Sequence, residues 1–76
     1  MKESVAVNLV LDELRKAEVY GDPLLNFHNG YAVLLEELDE LWDEIKKKSH
    51  LIDNKKLIKE ATQIGAMALR FLIELC

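Results

Sequence analysis

The sequence predicts an all-α protomer that completes its core by self-association. Three observations predict it. Apolar residues recur three and four positions apart through three segments, and no segment alternates as a strand does. Turn-forming residues, Gly21-Asp22-Pro23 and Asp53-Asn54, fall between those segments. Finally, 76 residues form one domain, 1–76, of a size that buries only roughly 60% of its unfolded surface, so it needs a staple. Cys76 is the only cysteine, which excludes an internal disulfide, suits a reducing compartment and leaves association between copies.

The first helix runs from Ser4, with Val7, Val10, Leu11, Leu14 and Ala17 on one face, and Gly21 with Pro23 ends it. A second begins between Asn26 and Asn29. Its apolar face is Phe27, Tyr31, Leu34, Leu35, Leu38, Leu41, Trp42 and Ile45, and it runs through to Lys46-Lys47-Lys48, which suit a C-terminal dipole. It ends before His50, a loop residue. Asp53 or Asn54 caps the third helix, whose stripe is Leu57, Ala61, Ile64, Ala68, Phe71, Leu72 and Leu75. Ala66, Met67, Leu69 and Ile73 lie off that stripe, so this helix is apolar on more than one side. A dimer or tetramer of helical bundles would cover it; a partner chain or a C-terminal extension would do so equally well.

The net charge of −4 argues against long nucleic acids, which need a basic footprint. Met1-Lys2-Glu3-Ser4-Val5 does not resemble a signal peptide, and no apolar run approaches the roughly 20 residues of a membrane span. A cytoplasmic protein without membrane contact is expected.

Charge is segregated along the chain. Glu36, Glu37, Asp39, Glu40, Asp43 and Glu44 precede Lys46, Lys47 and Lys48, and Lys55, Lys56 and Lys59 open the third helix. At about 100° per residue, Glu37, Glu40 and Glu44 share one flank of the second helix's apolar stripe. Glu36 and Asp43 point away from the core, and Asp39 lies on the other flank. An exposed acidic flank is the plain alternative. Glu60 argues for more, because it falls within the apolar stripe of the third helix, where an unpaired carboxylate is costly and wants a cation. Lys56, Lys59 or Arg70 could supply that charge as a salt bridge. A hard divalent ion would also fit, since two carboxylates at i and i+3 facing a third on a neighbouring helix suit the oxygen coordination of Mg²⁺. Such an ion neutralises phosphate oxygens and acidifies a bound water, while Lys56, Lys59 and Arg70 would hold polyphosphate.

Glu36-Glu37-Leu38-Asp39-Glu40 resembles the EExxE element of the MazG-like nucleoside triphosphate pyrophosphohydrolases, and Leu41-Trp42-Asp43-Glu44-Ile45 is similar to the family's next five residues. The family's second element, ExxD on the next helix, is matched by Glu60-Ala61-Thr62-Gln63 except at its last position. The resemblance covers about Phe27 to Leu75 and is closest to a short form with glutamine there. It implies a three-helix protomer that dimerises into four-helix bundles. It also implies Mg²⁺-dependent, or Mn²⁺-dependent, cleavage of a nucleoside triphosphate to a monophosphate and pyrophosphate, with water as nucleophile. Glu37, Glu40 and Glu60 would be the catalytic metal ligands, joined by Gln63, whose amide oxygen coordinates without adding charge or basicity. A catalytically weak or silent dimer that binds nucleotide or protein is the alternative.

His28 and Tyr31, two to three turns before Glu37, are candidates to hold base or phosphate, set against a helix cap and a core-edge tyrosine. Trp42 reads as core. No ExxH pair, CxxC, phosphate-cradling glycine loop or recognisable serine nucleophile occurs.

Overall fold

The computed structural model describes residues 1–76 and is all-helical. The helices are α1 (Glu3–Tyr20), α2 (Phe27–Ile45) and α3 (Asn54–Leu75), with a 3₁₀ turn at Ser49–Leu51. α3 is the central helix. α1 and α2 each pack against it and not against one another. The protomer measures 39 × 27 × 19 Å, with α1 and α2 on either side of α3.

The starts of α2 and α3 follow from capping chemistry. The Asn26 side chain accepts from the Asn29 backbone N–H at 2.8 Å, and Asn29 Oδ1 accepts from Leu25 N at 3.0 Å, which fixes the entry to α2. Asp53 caps α3 by accepting from Lys55 N at 2.9 Å. Two end positions differ from expectation. Gly21 does not form a left-handed cap: its φ is −87°, and glycine is needed because a Cβ would lie 2.6 Å from the Ala17 carbonyl oxygen. α2 ends at Ile45, so Lys46, Lys47 and Lys48 lie beyond its last turn instead of within it.

Close approach is achieved by removing side chains at two crossings. Gly30 is buried against α3, where a Cβ would meet Leu75 Cδ1 at 2.7 Å and the Phe71 ring at 2.8 Å. Gly65 admits Val10 of α1. Phe27 stacks on Phe71 with ring centroids 6.0 Å apart, joining the start of α2 to the end of α3.

Both loops are tied down by buried or half-buried ions. Arg70 donates from Nη2 to the Asp22 carbonyl oxygen at 2.6 Å and from Nε to Glu74 Oε2 at 2.7 Å, while Glu74 Oε1 accepts from Leu24 N at 2.9 Å. The loop from α1 to α2 is thereby fastened to α3. Glu44 does the same for the second loop: only 4% exposed, it accepts from Asp53 N and from Lys47 Nζ, both at 2.7 Å. These bonds hold the carboxylate of Glu44 below the usual range, Lys47 being the larger cause.

The interior is small. Leu14, Ala66 and Met67 are its buried apolar side chains. Trp42, expected in the core, is 58% exposed. The stripe that contains it is broader than the one face α2 can press on α3, and Leu34 and Leu41 take that place, both half-buried.

Candidate metal centre

The cluster forms where the middle of α2 crosses the first half of α3. Glu37 and Glu40 stand one turn apart on α2, and Glu60 reaches toward them from α3. One carboxylate oxygen of each lies within 4.8 Å of the others. Oxygens around one octahedral Mg²⁺ at 2.0–2.1 Å lie about 2.9 Å apart when adjacent and about 4.2 Å when opposite, so the three side chains would have to rotate closer together to share one ion.

Glu60 is half-buried and makes no salt bridge; the ion pairs of the structure are Arg15–Glu18, Lys46–Asp43, Lys47–Glu44 and Arg70–Glu74. No basic side chain forms an ion pair with it: Arg70 holds Glu74, and Lys56 and Lys59 are exposed, Lys59 being near enough only to be felt through its charge. The electrostatic result is proton retention. Burial, followed by the charges of Glu40 and Glu60, raises the pKa of Glu37. Burial also leads for Glu60, with hydrogen bonding and charge from Glu40 adding to it and Lys59 opposing. Repulsion among like charges is the state a cation relieves.

Gln63 lies one turn beyond Glu60. With its amide nitrogen turned toward the carboxylates, it donates to Glu37 Oε2 at 2.9 Å and to Glu60 Oε2 at 3.2 Å. The opposite orientation sets oxygen against oxygen, so the donating one is assigned. The amide thus links α2 to α3 through the two carboxylates.

The other predicted residues divide into two groups. Lys56, Lys59, Gln63 and Arg70 fall on one strip of α3, within about 60° of each other by helical rotation, on the carboxylate side. Arg70 is already engaged there by Glu74 and the Asp22 carbonyl. His28 and Tyr31 are exposed. They stand about 120° or more around α2 from Glu37 and Glu40, so one protomer does not bring them to the cluster.

Two features escaped sequence reasoning. Glu44 continues the acidic flank but is a loop clamp, a role set by where the chain returns to Asp53. Glu13 of α1 and Val33 of α2 line, with Glu37, Gln63 and Arg70, a recess of about 120 Å³ beside the cluster. No residue pattern could have named Glu13, because nothing in α1 signals its docking angle. Enclosed ligand pockets are typically at least about 300 Å³, so a nucleotide would lie across open surface here.

The chain matches no family model, and no curated protein or solved structure matches it. Three carboxylates supply oxygen ligands of the hardness that Mg²⁺ or Mn²⁺ favours, while Gln63 presents its amide nitrogen to them. No helix is long and apolar enough to cross a membrane.

Proposed function

We propose that the protein is a metal-dependent nucleoside triphosphate pyrophosphohydrolase of the MazG-like kind, acting as a homo-oligomer. The observation that carries this reading is the convergence of Glu37, Glu40 and Glu60 without any basic partner. Glu37 and Glu40 would hold the ion from α2 and Glu60 from α3. Bound there, Mg²⁺ supplies charge neutralisation for phosphate oxygens and acidification of a water. Lys56 and Lys59, exposed on the same strip, would bind the outer phosphates. Cleavage between the α- and β-phosphates by water would yield a nucleoside monophosphate and pyrophosphate. The half-buried setting of Glu37 and Glu60 strengthens their attraction for a cation relative to open surface.

The test is product analysis. A panel of nucleoside triphosphates is incubated with and without Mg²⁺, separating pyrophosphate from orthophosphate. Metal-dependent monophosphate and pyrophosphate are expected from the wild type and not from Glu37→Gln. Turnover retained in that variant would end the hydrolase reading.

A second reading, a silent nucleotide-binding or protein-interaction module, is favoured by one observation. The Gln63 amide donates to two of the three carboxylates, filling the cluster with a neutral donor where a fourth carboxylate would add charge. Under this reading Gln63→Asp creates or raises hydrolysis; no change in activity would remove charge at this position as the explanation.

A further inference from the structure

The segment that joins α1 to α2 has little hold of its own. Residues 22–25 make no backbone–backbone hydrogen bond, and Pro23 has no N–H to offer. Three bonds to side chains fasten them instead. One stays within the entry to α2, from Leu25 N to Asn29. The other two lead to α3: the Asp22 carbonyl accepts from Arg70 Nη2 at 2.6 Å, and Leu24 N donates to Glu74 Oε1 at 2.9 Å. Arg70 Nε in turn donates to Glu74 Oε2 at 2.7 Å. A single ion pair on α3 therefore holds the segment at two places.

Arg70 also faces the carboxylate cluster. Its side chain is only 12% exposed, and it lines two recesses: the one of about 120 Å³ shared with Glu37 and Gln63, and another of about 660 Å³ shared with Asp22, Leu24 and Leu25. Val33 is the other residue common to both. The guanidinium thus stands in their common wall. Its Nη1 makes no hydrogen bond and is not buried, so one end of the fork is free to donate while Nε and Nη2 are committed.

Polyphosphate competes for what Glu74 holds. A guanidinium grips phosphate through the same paired N–H bonds it gives a carboxylate, and a triphosphate carries more charge than one carboxylate. Along α3, Lys59 lies one turn to one side of Gln63 and Arg70 about 10 Å to the other. Phosphates spanning the cluster would meet a cation at each end.

We infer that Arg70 is a release catch for the α1–α2 segment. Polyphosphate bound across the cluster draws the guanidinium away from Glu74 and the Asp22 carbonyl. Glu74, no longer fixed by its counter-ion, turns to water, and residues 22–25 come off α3. The wall between the two recesses opens at the same moment, which extends the ligand's contact beyond the smaller one. The inference rests on polyphosphate binding in the proposed function, not on hydrolysis.

Nuclear magnetic resonance tests it, with inorganic triphosphate and Mg²⁺ as the probe and calorimetry to measure binding. Saturating the wild type should shift the Arg70 Nε–H resonance and speed exchange of the Leu24 amide at least about tenfold, the factor for losing a hydrogen bond to a charged group. The Leu25 amide, bonded to Asn29, should keep its rate, which separates release of the strap from general loosening. Glu74→Gln retains an acceptor for Leu24 but pulls less on Arg70, so it should bind the probe about fivefold more tightly than wild type. Probe bound with Leu24 exchange unchanged, or Glu74→Gln binding it no more tightly, would overturn the catch and leave the proposed function standing. A wild type that binds no probe would end the polyphosphate reading itself, and the catch with it.

Discussion

Replacing Glu60 by glutamine should raise the stability of the metal-free protein at neutral pH, against the usual outcome for a half-buried polar residue. Glu37 and Glu60 hold their protons above the ordinary carboxylate value of 4.5. Between that value and their raised ones the folded chain binds more protons than the unfolded chain. Stability then falls as pH rises through that window, and the loss is complete above the raised values. Two like charges 4 Å apart repel by about 1 kcal/mol in water and about 4 kcal/mol at an effective dielectric of 20. With carboxylate oxygens up to 4.8 Å apart and the site open to solvent, the lower figure applies, so Glu60→Gln should stabilise by about 1 kcal/mol. For a domain of this size that is a Tm increase of roughly 4–8 °C. The assay is thermal melting followed by circular dichroism in chelator, at one protein concentration because association shifts Tm. The gain should shrink as pH falls through the ordinary carboxylate value, where Glu37 and Glu60 already hold their protons in the folded chain. Mg²⁺ at a hundred times its Kd should stabilise the wild type by about 2.7 kcal/mol and the variant hardly at all. A variant that melts lower than wild type at neutral pH, or that responds equally to Mg²⁺, would refute the electrostatic account of the cluster.

Glu44 should behave with the opposite sign. Its pKa is lowered by Lys47 and the Asp53 N–H, so its contribution is present above the ordinary carboxylate value and lost as pH falls through the depressed one. Glu44→Gln should therefore flatten the acid limb of the stability curve, which urea titrations at several pH values would reveal. Gly30→Ala gains about 1 kcal/mol of helix propensity but drives a methyl into Phe71 and Leu75, at a cost of about 1–3 kcal/mol. A lowered urea midpoint with unchanged slope is expected.

The sequence by itself determined the three helices and narrowed the starts of the second and third to Asn26–Asn29 and to Asp53 or Asn54, because spacing and capping are local and act within a turn or two. It also placed Glu37 and Glu40 on one flank and Glu60 on the inner side of α3, since helical rotation alone fixes those directions. What lay across from each face was decided by tertiary structure. Glu44 shares the flank of Glu37 and Glu40, yet the returning chain delivers the Asp53 N–H to it and makes it a clamp. Arg70 shares the strip of Gln63, yet the α1–α2 loop supplies the Asp22 carbonyl and turns it into a fastener. Trp42 lies in the apolar stripe, but a stripe wider than one helix contact leaves part of itself uncovered. The physical reason is common to all three. A side chain's direction depends on its own helix, whereas its partner depends on distant segments whose docking is set by packing at Gly30, Gly65 and Phe71.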